Sequence, residues 1–192
     1  MIKRRRCRFP ESRQHSLAFN PDHLMQRVVI LGRGGAGKST FARKLGEATG
    51  LPVIELDKYF WQPGLVPTPR ERWAEILREL ASGDRWILDG DLGRYDDLHA
   101  RLQRADTVVI LDFSVWLCVK RALRRSRETF EFWWWLLSWR RRDLPKIQRA
   151  IAAQAAHADI RIFSRPEELE RFCLCKRATQ SWLFRARRVG QG

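Results

Sequence analysis

Residues 32–40 read GRGGAGKST and follow directly on the apolar run VVIL. Glycines at 32, 34, 35 and 37 leave the backbone bare, so that its N–H groups can turn inward around a polyphosphate where Cβ atoms would obstruct them. Lys38 can reach β- and γ-phosphate oxygens, and the Ser39 hydroxyl can sit on Mg²⁺. Gly32, Gly34, Gly35, Ala36, Gly37, Lys38, Ser39 and Thr40 are therefore the expected ATP-binding residues. A merely tight turn would need neither the lysine nor the hydroxyls.

Such chemistry also needs carboxylates. Asp89, in WILDGD, and Asp112, in VVILDF, each follow an apolar strand-like run. Asp89 is favoured for the metal, because Gly90 and then Arg94 make the turn after it suited to a second anionic ligand. Asp112 leads into Phe113, Ser114 and a helix, which fits helix entry equally well. Asp57 ends a third apolar run, and ligands of open α/β sheets collect beyond the carboxyl ends of the strands. It can bind an acceptor, deprotonate it, or merely cap a helix. Arginines cluster further on at 121, 124, 125 and 127, then at 140, 141 and 142. Arginines over a transferring phosphoryl group stabilise its charge, and Arg121 and Arg125 share one helix face at i,i+4. The plain alternative is a solvated basic helix.

The elements that position these residues follow from periodicity. Strands are expected at Arg27–Leu31, Pro52–Leu56, Arg85–Leu88, Thr107–Leu111 and Ile160–Phe163. Helices are expected at Lys38–Glu47, Arg70–Ala81, Asp97–Gln103 and Pro166–Leu174, with one long helix entered at Ser114 as N-cap. QPGLVPTP reads as a loop. Strands alternating with helices define an α/β class with a parallel sheet covered on both faces.

The whole chain sets bounds. Its 192 residues suit one domain, and 44% hydrophobic content can fill a core. Lys and Arg exceed Asp and Glu by 37 to 22, a formal +15, which favours phosphate-bearing or anionic partners. Part of that excess lies in residues 1–24, a basic extension expected to be disordered, and in 176–192, a basic tail; both allow non-specific nucleic-acid contact. A kinase-like domain is expected over 25–175. The first 24 residues lack the apolar stretch of a secretory signal, so either Met1 or Met25 can mark the start. No apolar run is long enough to cross a bilayer. Four cysteines without metal-ligand spacing argue for neither zinc nor a disulfide framework, and cytoplasmic location is the default. No NKxD or DxxG stretch supports a regulatory GTPase.

The block FEFWWWLLSW at 130–139 stands apart. Three consecutive tryptophans on a helix point about 100° apart, so one face cannot bury them all. Core packing, a partner or self-association surface, attachment to a membrane surface through flanking arginines and stacking on an aromatic ligand all remain open.

The runs VVILGRGGAGKSTFARKLGEATGLPVIELDKYFWQPGLVPTPRERW, WILDGDLGR and ADTVVILDFSVWLCVKRALRR together resemble the small adenylate-kinase-related P-loop kinases known as DNA topology modulation proteins. The likeness spans about Met25 to Leu174. It implies a nucleoside-monophosphate-kinase-like fold with sheet order 2-3-1-4-5, using ATP and Mg²⁺. By that resemblance Gly37, Lys38, Ser39 and Thr40 hold ATP phosphates. Asp57 and Arg94 fall at the acceptor, Asp89 on the acid of the DG turn, and Arg121 and Arg125 on the arginine pair beside the lid. Members often carry Asn where Asp91 stands, and a longer polar insertion follows their arginine pair, so the lid of about 120–143 is shortened here. The reading is ATP-dependent phosphoryl transfer to a small-molecule or nucleotide acceptor, with Lys38, Asp57, Arg121 and Arg125 as catalytic groups. Two alternatives are an ATP-binding regulatory or nucleic-acid-associated protein with little kinase activity, and a slow ATPase without an acceptor.

Overall fold

The computed structural model describes residues 25–95, 97–124 and 129–189, with backbone only for Arg94 and for 179–189. The expected N-terminal extension and Arg125 lie outside the described residues.

Five strands form one parallel sheet: β1 (Arg27–Gly32), β2 (Val53–Glu55), β5 (Trp86–Asp89), β6 (Thr107–Leu111) and β7 (Asp159–Phe163). Their spatial order is β2-β5-β1-β6-β7, which is 2-3-1-4-5 when the sheet strands alone are counted. The central strands are apolar at nearly every position because both faces of the sheet are covered. Val28, Ile30, Ile87, Val109 and Leu111 face α1 (Lys38–Thr49) and α8 (Pro166–Val189). Val29, Leu31, Leu88, Val108 and Ile110 face the other way, into a core completed by α3 (Arg70–Leu80), α4 (Leu98–Arg104), α6 (Phe130–Arg142) and α7 (Leu144–Gln154). β1 is thus the central strand, and the loop that leaves it emerges at the middle of the carboxyl edge.

Three departures from the expected elements have identifiable causes. QPGLVPTP is not featureless: β3 (Trp61–Gln62) and β4 (Val66–Pro67) pair antiparallel around Pro63–Leu65, just after the one-turn helix α2 (Asp57–Phe60). The single long helix after Ser114 is instead three helices, α5 (Val115–Leu123), α6 and α7. Pro145 separates α6 from α7, because it has no N–H for the carbonyl of Arg141 and its ring crowds that carbonyl. Ser114 stands at the N-cap of α5, yet its hydroxyl makes no capping bond. Finally, α8 continues to Val189, past the end expected near Leu174, so the basic residues from 176 to 189 extend a helix.

Candidate active site

The loop from Gly32 to Gly37 bends sharply between β1 and α1. Gly35 has φ 73°, and a Cβ there would stand 2.3 Å from the Cys118 carbonyl oxygen, so α5 packs on the loop closely enough to demand glycine. Gly37 is the left-handed N-cap of α1, which aims the free N–H groups of that helix at the loop; such an N-terminus favours anions.

Inside the bend, Lys38 Nζ donates to the carbonyls of Gly32 (2.7 Å) and Arg33 (3.2 Å). Its charge is felt by two carboxylates. Asp89, at the end of β5 and only 3% exposed, lies beside the Ser39 hydroxyl. Burial raises the pKa of Asp89, against the opposing pull of Ser39 and Lys38. Asp57, at the start of α2, reaches solvent but is crowded enough that desolvation raises its pKa as well, opposed first by Lys38 and then by the nearby Trp61 indole. Lys38, Ser39, Asp57 and Asp89 are therefore gathered at one edge of the sheet.

The residues fit a magnesium ion. Asp89 Oδ1 is buried and has no hydrogen-bond partner, and the Ser39 hydroxyl lies beside the same carboxyl group. A hard cation satisfied by oxygen ligands and water would use both groups. No cluster of three or more His, Cys, Asp or Glu side chains occurs among the described residues, so phosphate oxygens and water would complete the shell.

The remaining expected site residues divide. Arg121 on α5 donates from Nη1 to the Ala36 carbonyl at 3.0 Å, and so lies across the outer side of the loop. Arg94 belongs by its backbone to the 3-10 turn Gly93–Tyr95, but its side chain lies outside the described residues. Arg125 lies outside the described residues. Gly34, Gly35, Ala36 and Gly37 form the bend itself, with Thr40 in the first turn of α1.

Several organising residues were not anticipated from the sequence. Asp91, the extra acid of the DGD turn, is buried and occupied by N–H donors. It accepts the Trp139 indole N–H on Oδ2 (2.8 Å), with the Gly32 amide more distant (3.4 Å), and the Gly93 amide on Oδ1 (3.1 Å). Arg101, fully buried on α4, fixes the same turn by donating to the Gly90 carbonyl at 2.7 Å. Asp112 is occupied as a structural anchor: Arg140 of α6 pairs with it at 3.1 Å and the buried Arg33 of the glycine loop at 3.9 Å. Arg33 also lies against the Trp139 ring, 5.4 Å from its centroid. Arg140 thus ties α6 to the loop. The nearest clues in the sequence were an arginine inside a glycine run and an acid ending an apolar strand.

That tie places aromatic rings on the loop. A Cβ at Gly34 would meet the Phe132 ring at 2.6 Å and Trp135 at 3.0 Å; one at Gly93 would meet Trp135 Nε1 at 2.6 Å. Lys38 Nζ lies 5.8 Å from the centroid of the Trp135 ring. One face of the tryptophan-rich helix therefore roofs the site where the shortened lid was expected, and it touches both the phosphate loop and the turn after Asp89.

On the opposite side of the loop a cavity of about 390 Å³ opens between α1, α5 and α8. Gly37, Thr40, Phe113, Arg121, Arg124 and Pro166 are among its lining residues.

The fold has solved counterparts. A shikimate kinase from Acinetobacter baumannii in complex with shikimate superposes with TM-score 0.51 at 22% identity, covering 84% of this chain and 94% of that one. A gluconokinase from Sinorhizobium meliloti 1021 reaches TM-score 0.47 at 19% identity over 88% and 99% of the two chains. Of these, the first exceeds a TM-score of 0.5, and at that identity it shows the fold: a shikimate-kinase-like P-loop architecture. In sequence, a shikimate kinase from Flavobacterium johnsoniae is 31% identical over 100 residues, covering 45% of this chain and 58% of that protein. The matched stretch thus spans little more than half the length of that relative. No protein-family model matches the chain.

Proposed function

We propose that this protein is an ATP-dependent, Mg²⁺-assisted kinase that phosphorylates a small hydroxyl-bearing or nucleotide acceptor. The observation that carries the reading is the convergence of Lys38, Ser39, Asp57 and Asp89 at the mouth of the glycine loop, with carboxylates on two neighbouring strand ends. The partial likeness to shikimate kinases agrees with it, as does the resemblance to the topology-modulation kinases.

The loop amides and the N-terminus of α1 would bind the triphosphate, and the cavity beside Thr40, Phe113 and Arg124 would take the nucleoside. Ser39 and Asp89 would hold Mg²⁺, which when bound neutralises and orients phosphate oxygens. Lys38 leaves the carbonyls of Gly32 and Arg33 to meet those oxygens, and Arg121 stabilises charge from the outer side of the loop. Asp57 accepts the proton of an acceptor hydroxyl, and its raised pKa makes it a stronger base than an ordinary carboxylate. The Trp61 indole, beside that carboxylate, would help to orient it. If the acceptor is itself a phosphate, Asp57 positions it without taking a proton, and Arg94 is the proposed counter-charge. Phe132 and Trp135 keep water from the transfer point.

The test is a screen of sugars, polyols, nucleosides and nucleotides for phosphate taken from γ-labelled ATP. Transfer to one class, lost in Asp57→Asn while ATP still binds, supports the proposal. ATP turnover that no acceptor accelerates would make the protein an ATPase and overturn it.

A further inference from the structure

We propose that the outward faces of α5 and α6 form a docking surface for an anionic lipid bilayer. The inference is independent of the catalytic reading. Of the eleven large hydrophobic side chains exposed among the described residues, five lie on these two consecutive helices: Trp116 (78% exposed), Leu123 (66%), Phe130 (83%), Trp134 (58%) and Leu137 (58%).

Their spacing is that of a stripe. Successive residues of a helix turn by about 100°. On α6, Phe132, Trp135, Leu136 and Trp139 cluster on one side, the side that meets the glycine loop and the core. Phe130, Trp134, Leu137 and Arg141 fall on the opposite side. On α5, Cys118 and Ala122 point inward, so Trp116, Lys120 and Leu123 point outward. Each helix therefore buries one apolar face in the protein and presents a second one to solvent. Burial of the first explains the fold; the second is left over.

Charge decides the occupant. Lys120, Arg124, Arg141 and Arg142 are exposed on or beside these helices, next to Arg140, which is engaged by Asp112, and Glu131 is the one exposed acid on them among the described residues. Large aromatic and aliphatic groups beside cations are the composition of a helix that lies in a lipid interface, with rings in the headgroup region and cationic groups on lipid phosphates. A second copy of the chain would bring the same positive charge against itself. Single-stranded nucleic acid would need rings interleaved with cations for stacking, whereas Leu123 and Leu137 cannot stack and the cations of α6 gather at its C-terminal end. No helix among the described residues is long and apolar enough to cross a membrane, so the contact would be peripheral.

The experiment is flotation of the full chain with vesicles of phosphatidylcholine, with and without phosphatidylglycerol. It compares wild type with Trp134→Glu/Leu137→Glu and with Trp116→Glu, each checked for an unchanged melting temperature. The wild type should float with the anionic vesicles only, release as salt rises, and shift its tryptophan emission to the blue. The double substitution should lower the bound fraction about tenfold or more, as expected when apolar insertion supplies the affinity. Equal binding to both vesicle types would overturn the proposal, as would binding untouched by the substitutions, which would assign it to the basic ends. It would equally be overturned by a dimer in sedimentation velocity that the same pair dissociates, or by oligonucleotide binding that the same pair abolishes in place of vesicle binding.

Discussion

Replacing Trp139 with Phe isolates the link that seats α6 on the glycine loop. The indole is fully buried and donates to Asp91 Oδ2 at 2.8 Å, whereas the other donor to that oxygen, the Gly32 amide, stands at 3.4 Å. The substitution strips the main donor from a buried carboxylate, a loss of about 1.5–3 kcal/mol for a hydrogen bond to a charged group. The smaller ring also leaves unfilled core volume, worth about 1 kcal/mol more as a fraction of a full Trp→Ala truncation. A total of about 2.5–4 kcal/mol corresponds to a fall in Tm of roughly 5–16 °C for a domain of this size. Thermal and urea unfolding of wild type, Trp139→Phe, Asp91→Asn and the double variant complete a cycle. If the cost arises from an under-satisfied charge, Asp91→Asn should be less harmful in the Trp139→Phe background than alone, by about 1 kcal/mol or more. A Trp139→Phe variant that loses under about 1 kcal/mol, or additive costs, would refute the reasoning.

Asp57 has a raised pKa from desolvation; as the base it must be ionised, so kcat/KM should fall as pH drops through a value above the ordinary carboxylate range, and this limb should vanish in Asp57→Asn. Asp89 is also raised by burial, so the stability it contributes is present at pH below its unfolded value and is lost as pH rises through the folded value. Asp89→Asn should therefore raise the Tm of the nucleotide-free protein at neutral pH while removing the Mg²⁺-dependent part of ATP stabilisation, measured by thermal shift with and without EDTA. Trp135→Ala should open the roof over Lys38 and raise the ratio of ATP hydrolysis to acceptor phosphorylation, read from labelled phosphate released and transferred; an unchanged ratio would deny the roof its role in excluding water.

The sheet was legible because its central strands are nearly continuous apolar runs and its phosphate loop links strand to helix within nine residues. That much depends on local pattern alone. The placing of Asp57 and Asp89 at one edge followed from parallel topology, since both end strands. The contacts of α6 were not legible. Three consecutive tryptophans about 100° apart cannot share one environment, and Trp134 is exposed while Trp135 packs on the glycine loop. Which ring meets Gly34 depends on the break at Pro145 and on the Arg33–Asp112–Arg140 ties between distant segments, neither of which is a local pattern. Asp91 stands where the kinases that this sequence resembles often carry Asn; only the folded chain shows the indole and amide N–H groups that occupy it.

The central claim is that residues 32–40 hold a triphosphate through Lys38. Titration of Mg·ATP into the full chain, followed by calorimetry, tests it most directly. Wild type should bind saturably at one site, and Lys38→Ala should lose that binding while keeping its fold by circular dichroism. Equal affinity in the two proteins, or no binding by wild type, would contradict it.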